Sequence, residues 1–188
     1  MTAANRLEIR IAGSGGQGLI LSAKMLADAL ARAGRRVAQS QTYEPTSRGG
    51  FCNADLVIAQ GEVDFPLATT LDCLVLLDGI AVKPSWPLLK TDAIVIADTR
   101  LCPELPESAH RSYRLPLTRS AIELGSERVA NIVALGALAV IARLSDRKSL
   151  EQAVRNDTPR SFLDLNLDAL AAGFRLGEQA LLEPAQPA

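Results

Sequence analysis

Alternating apolar residues Leu7, Ile9 and Ile11 lead straight into Gly13-Ser14-Gly15-Gly16-Gln17-Gly18, and from there into the amphipathic run Leu19 to Ala33. Alternation marks a strand, the glycines at 13, 15 and 18 satisfy the G-x-G-x-x-G spacing, and the apolar period after them is helical. The chain therefore opens with strand, tight turn and helix. Glycines in such a turn admit positive φ and let an anionic group approach the backbone, while the first turn of the helix supplies N–H donors and a partial positive charge. A phosphate or pyrophosphate is the natural guest. Close packing of helix on strand also calls for small residues at these places, so a purely structural reading stands beside the binding one.

The 188 residues suit one domain, spanning 1–188, with a helical C-terminal part over 118–182 and a frayed, proline-containing tail at 183–188. With 48% apolar residues, only 4% aromatics and a formal net charge of −1, the composition fits a helix-rich α/β chain. It carries no basic run interleaved with aromatics, which excludes nucleic acid and anionic membrane as natural partners. The most apolar segment, Ile132 to Ala142, is too short to span a bilayer and reads as a core helix. Glu8 and Arg10 interrupt what a secretory signal would need as its apolar region, and Cys52, Cys73 and Cys102 form neither a disulfide framework nor a cluster motif. The expectation is a cytoplasmic protein that binds no metal or iron–sulfur cluster on this chain.

Gly34 sits where a helix C-cap glycine belongs, and Arg35 to Ser40 reads as a second strand, a parallel neighbour of the first. A dinucleotide site wants an acid at the end of that strand, but Gln39, Ser40, Gln41 and Thr42 stand there and the first acid is Glu44 in the following loop. This disfavours NAD. In the loop Tyr43 to Gly50, Arg48 precedes Gly49 and Gly50 as a fixed cation, either an anion clamp or a solvated turn. The loop is expected to leave the same carboxyl edge of the sheet as the glycine turn.

Phe51 to Ala59 reads as a third strand. The near-duplicate runs Asp72 to Asp78 and Asp92 to Asp98 read as central parallel strands, whose terminal acids Asp78 and Asp98 either bind a metal or hydroxyls or, more commonly for acids at such places, cap the next helix or turn. Tyr113 to Leu115 is expected as a short edge strand. His110 reads as solvated surface, and Tyr43 and Trp86 as covers of the core edge. Helices are expected from Thr118 or Ser120 to Gly125, from Ser126 through the Asn131 to Leu138 stretch, from Ser149 to Asn156, and from Asn166 onward, with Gly173 and Gly177 permitting close helix contact. Asn131, in an otherwise apolar helix, must bond either a loop or a ligand.

Three stretches together carry a family resemblance. They are Gly13-Ser14-Gly15-Gly16-Gln17-Gly18, then Tyr43 through Arg48-Gly49-Gly50, and then Ala121-Ile122-Glu123-Leu124-Gly125 leading into Asn131-Ile132-Val133-Ala134-Leu135-Gly136, with Asn166-Leu167 near the end. The chain resembles the gamma subunit, or fused gamma domain, of the 2-oxoacid:ferredoxin oxidoreductases of the pyruvate, 2-oxoglutarate, 2-oxoisovalerate and indolepyruvate types. One departure is Tyr43-Glu44-Pro45-Thr46, where family members often carry Tyr-Gly-Pro-Glu or Tyr-Gly-Ala-Glu.

The resemblance implies a Rossmann-like three-layer α/β/α fold with a mostly parallel or mixed sheet. It also implies a subunit, inactive alone, of an enzyme that converts a 2-oxoacid and coenzyme A to acyl-CoA and carbon dioxide while reducing ferredoxin. Thiamine diphosphate, magnesium and iron–sulfur clusters are then expected on partner subunits. Coenzyme A is the ligand expected on this chain, at Gly13, Gly15, Gly16, Gln17, Gly18, Arg48, Gly49, Gly50 and Asn131, with no catalytic residue and no metal ligand. The same residues suit an interface with the thiamine-binding subunit, and such a surface is expected to leave an apolar patch that self-associates in isolation. A stand-alone nucleotide-dependent dehydrogenase and a pure assembly module are the alternatives.

Overall fold

The computed structural model describes residues 6–44, 49–61, 63, 65–107, 110–182 and 186–187. Arg48 therefore lies outside the described residues. The strands are β1 (Arg6–Ser14), β2 (Arg36–Tyr43), β3 (Phe51–Ala59), β4 (Leu71–Leu76), β5 (Leu89–Asp98), β6 (Arg111–Leu115) and β7 (Gln186–Pro187). The helices are α1 (Leu19–Arg32), the single turn α2 (Val82–Ser85), α3 (Leu117–Glu123), α4 (Ala130–Ile141), α5 (Arg147–Asp157) and α6 (Leu163–Leu182). No described helix is long and apolar enough to cross a membrane.

The strands form one mixed sheet in the order β2-β3-β1-β4-β5-β6-β7. β2 is thus not the neighbour of β1. It runs in the same direction, but β3 lies between them, antiparallel to both. Burial explains the order: β3 is covered along almost its whole length, its Asn53 and Asp55 included, whereas β2 carries Gln39, Ser40, Gln41 and Thr42 and is half-exposed or exposed throughout. The strand that needs cover on both faces takes the inner place, and the polar one takes the edge. β4 and β5 are central and parallel, as their apolar runs imply. β6 is not an edge strand, because Gln186 and Pro187 pair with Ser112 and Arg111; these tail residues are not frayed.

The two faces of the sheet are covered unequally. The larger core joins one face to α1, α3, α4, α5 and α6. On the other face a smaller core of Leu71, Leu74, Leu76, Val95 and Ala97 lies under the short turns between β4 and β5 and the segment around Cys102. α4 is buried almost residue by residue because it sits between the sheet and α6. Gly136 and Gly173 make that approach possible: a Cβ on Gly173 would lie 2.1 Å from the Val133 carbonyl oxygen, and one on Gly136 would lie 2.5 Å from that of Leu170.

Capping chemistry sets the element ends. Gly34 (φ 81°) closes α1, its N–H donating to Ala31 O while the next N–H, of Arg35, donates to Leu30 O. Asp98, fully buried, accepts from the N–H groups of Arg100, Leu101 and Thr118, and Asp78 accepts from Ile80 N–H, so both acids serve as caps. α5 starts earlier than Ser149: Asp146 is its cap, accepting from both the N–H and the hydroxyl of Ser149. α6 likewise starts at Leu163, and Asn166 is a buried residue within it, donating to Thr158 Oγ1. His110 is half-buried, packed edge-on to Trp86 with ring centroids 5.5 Å apart, and Tyr43, at 65% exposed, is a surface residue and not a cover of the core edge.

Glu8 anchors the crossover into β4. Its buried carboxylate accepts from the N–H groups of Thr69 and Thr70 and from Arg6 Nε. Burial alone would raise its pKa, but the hydrogen bonds and the nearby guanidinium outweigh that and hold it below the ordinary 4.5. A carboxyl depressed in the folded state adds stability that is complete above pH 4.5 and disappears as pH falls through the lowered folded value. The urea midpoint is therefore expected to drop on that acid limb, and Glu8→Gln to flatten the drop; parallel pH curves for the two proteins would contradict this assignment.

Candidate functional site

β1 and β4 lie side by side and parallel, but the chain leaves them in opposite directions. α1 carries it across one face toward β2, while the short turns after β4 carry it across the other face toward β5. In open α/β sheets such a reversal opens a crevice at the carboxyl ends of the strands. The glycine turn sits at this crevice.

The turn is held from three directions. Gln17 folds back so that its Oε1 accepts from Ser14 N–H at 2.8 Å, while its Nε2 donates to Leu77 O, beyond β4, at 3.0 Å. Gly13 is small to make room for that amide, since a Cβ there would meet Gln17 Oε1 at 2.2 Å. Gly15 N–H donates to Gly50 O at 2.8 Å, which ties the turn to the loop entering β3. Asn131, buried in the first turn of α4, donates through Nδ2 to Gly18 O at 2.9 Å. Gly18 (φ 74°) leaves space for that amide, as its Cβ would lie 2.6 Å from the Asn131 nitrogen.

Eight of the nine residues singled out from the sequence thus converge: Gly13, Gly15, Gly16, Gln17, Gly18, Gly49, Gly50 and Asn131; the ninth, Arg48, lies outside the described residues. Their roles differ from one another. The Gln17 amide serves the turn itself at both ends, where the sequence suggests a donor for a ligand. Asn131 supports the turn from below. Gly16 (φ 101°) alone among the turn's glycines faces open space, with nothing within 4 Å of where a Cβ would stand.

Gly16 borders a cleft of about 390 Å³, whose lining also includes Ser14, Leu77, Asp78, Thr118, Glu127 and Arg128. Sequence reasoning missed Thr118 and Arg128 as site residues. The available signal was the position of Arg128, three residues before Asn131 and close behind the Ser126 cap. The walls carry charge of both signs, but Asp78 is occupied as a cap and Glu127 lies 3.9 Å from Arg100. The cleft lining includes neither His nor Cys. The cysteines are buried in the core, where burial raises the Cys52 thiol and pushes those of Cys73 and Cys102 to about 12. Among the described residues no group of His, Cys, Asp or Glu is placed to hold a metal. What the cleft offers is an open backbone turn, hydroxyls and a guanidinium, which suits it to bind and orient an anion.

Residues 8–176 match the protein family described as pyruvate ferredoxin/flavodoxin oxidoreductase. The KorC subunit of 2-oxoglutarate synthase from Archaeoglobus fulgidus is 34% identical to this chain over 174 residues, covering 92% of this chain and 89% of the relative. The crystal structure of a keto/oxoacid ferredoxin oxidoreductase gamma subunit from Geobacter sulfurreducens superposes with a TM-score of 0.85 at 34% identity, over 93% of this chain and 98% of that one. A 2-oxoglutarate:ferredoxin oxidoreductase from Magnetococcus marinus, solved with 2-oxoglutarate, coenzyme A and succinyl-CoA bound, superposes with a TM-score of 0.84 at 26% identity, over 97% of this chain and 32% of that longer one.

Proposed function

The chain belongs to the pyruvate ferredoxin/flavodoxin oxidoreductase family, and from that premise we propose that it is the gamma subunit of a multisubunit 2-oxoacid:ferredoxin oxidoreductase, in which it holds coenzyme A and helps assemble the complex. 2-Oxoglutarate is the first 2-oxoacid to test, given the KorC and Magnetococcus relatives. The observation that carries the reading is the Gly15 N–H to Gly50 O bond, which joins the glycine turn and the Gly49-Gly50 segment into one surface at the carboxyl edge of the sheet.

Coenzyme A fits that surface. Gly16 gives a phosphate close access to the backbone, and the cleft beside it has the size range of small-molecule sites. Thiamine diphosphate, magnesium and iron–sulfur clusters supply the carbanion and electron-transfer chemistry from the partner subunits. This chain's part is to bind and orient. Leu21, Tyr43 and Ile80 stand exposed around the same edge, and a partner subunit covers them in the complex; in isolation they drive self-association. The dehydrogenase alternative is weakened further by Glu44, the only acid near the end of β2, whose carboxylate accepts from Phe51 N–H.

The test is to recover the tagged chain anaerobically from its source cells and to assay the eluate for dye reduction dependent on both 2-oxoglutarate and coenzyme A. Co-purified thiamine- and cluster-bearing chains with that activity are expected, and Gly16→Val combined with Arg48→Ala is expected to abolish it. A chain recovered alone, inactive with 2-oxoacids yet stabilised by a nicotinamide nucleotide, would return the dehydrogenase reading.

A further inference from the structure

We infer that Arg128 is the cation that holds a phosphate of coenzyme A, and that the phosphate lies in the cleft between the glycine turn and the start of α4. The inference rests on the gamma-subunit reading and adds to it a residue, a place and a direction of approach. Of the turn's glycines, Gly13 makes room for the Gln17 amide, Gly15 is bonded to Gly50, and Gly18 is covered by Asn131. Only Gly16 is open, and the space it opens to is the cleft. A ligand that touches the turn therefore approaches from the cleft side.

Arg128 is the guanidinium on that side. The carboxylates that share the cleft are engaged elsewhere: Asp78 accepts from Ile80 N–H, and Glu127 lies 3.9 Å from Arg100. Among the described residues no carboxylate stands within ion-pair distance of Arg128 itself. Its backbone is fixed, since its N–H donates to Ser126 Oγ. Asn131 comes three residues later, so the segment that clamps Gly18 also brings Arg128 into the lining of the cleft that Gly16 borders. A guanidinium lining the same cleft as an open backbone turn can recognise phosphate through paired charge-assisted hydrogen bonds.

The experiment uses the assembled complex, purified through the tagged chain, carrying Arg128→Ala, Arg128→Gln, Arg128→Lys or, as a surface control, Arg119→Ala. Equilibrium dialysis with coenzyme A and with dephospho-coenzyme A is read beside steady-state kinetics. Arg128→Ala and Arg128→Gln are expected to weaken coenzyme A about tenfold or more, the usual cost of losing a charge-assisted bond. Turnover at saturating coenzyme A and the KM for the 2-oxoacid should stay within about twofold, as for lost ground-state binding. Arg128→Lys should recover part of the affinity, and Arg119→Ala should leave it unchanged.

If Arg128→Ala erases the preference for coenzyme A over its dephospho form, the bound group is the 3′-phosphate; if both forms weaken equally, it is the pyrophosphate. Unchanged coenzyme A affinity in assembled Arg128 variants overturns the inference and leaves the gamma-subunit reading standing. Loss of partner chains from Arg128→Ala, with unchanged affinity in the Arg128→Gln complex, makes Arg128 an interface residue and overturns it too. A wild-type complex that neither binds nor uses coenzyme A removes the underlying reading itself.

Discussion

Gly173→Ala is expected to destabilise the chain by about 3 kcal/mol or more, the upper range for overpacking a tight contact. The sign is what makes the result informative. In an exposed helix the same change would stabilise, because alanine has the better helix propensity by about 1 kcal/mol. Here the new methyl would sit 2.1 Å from the Val133 carbonyl oxygen and 3.0 Å from Gly136 Cα, both backbone atoms that no rotamer change can clear. α6 must move away from α4, and the contacts of Phe174, Leu170 and Ala169 with the core move with it. Gly136→Ala acts on the same seam, its methyl 2.5 Å from Leu170 O. Once either change has parted the helices the other adds less, so the double variant should lose clearly less than the sum. Additive losses in urea unfolding would show that the two glycines act independently.

The second large effect concerns Arg10 and Asp55. The guanidinium donates to both carboxylate oxygens at 2.7 and 2.8 Å, Asn53 Nδ2 donates to Oδ1 at 2.8 Å, and Arg10 and Asp55 are 8% and 5% exposed. Asp55→Ala leaves a guanidinium without its partner in this enclosed place, and the expected loss is about 3–5 kcal/mol. Replacing both residues with apolar ones, Arg10→Met with Asp55→Leu, should regain much of that loss. The pair stands directly opposite in the β1–β3 ladder, in the register that also sets Gly13 against Cys52 and Ser14 against Phe51. A one-residue slip would send every side chain of β3 to the other face. The apolar double variant is therefore expected to recover stability without full coenzyme A-dependent turnover; complete recovery of both would show that register does not depend on the pair.

Much of this architecture was legible because it is local. Two-residue alternation locates β1, continuous apolar runs locate β4 and β5, and Gly34 marks the end of α1. The capping acids Asp78 and Asp98 were readable for the same reason. Strand order was not: the place of β3 between β2 and β1 depends on which strand the completed sheet can bury, and no window of sequence contains that comparison. The start of α5 was misread because Asp146 and Ser149 are both capping residues by type, and only the geometry shows Ser149 as the donor. At the site, the glycine turn and Asn131 stood out by residue type. Their different duties did not, because Gly18 and Asn131 meet across 113 positions of chain, and Arg128 enters the cleft through the same long-range contact.

The three-way bracing of the turn has a kinetic consequence. Its partners arrive at widely spaced times during synthesis: Gly50 first, then Leu77, and only after most of the chain is made, Asn131. Loop closures of that length are slow events in folding and come after local helix and hairpin formation. A growing chain can thus form β1 and α1 early while the turn between them stays unfixed until α4 docks. The surface offered to ligand and partner matures last, so a half-made chain presents no finished site to either of them.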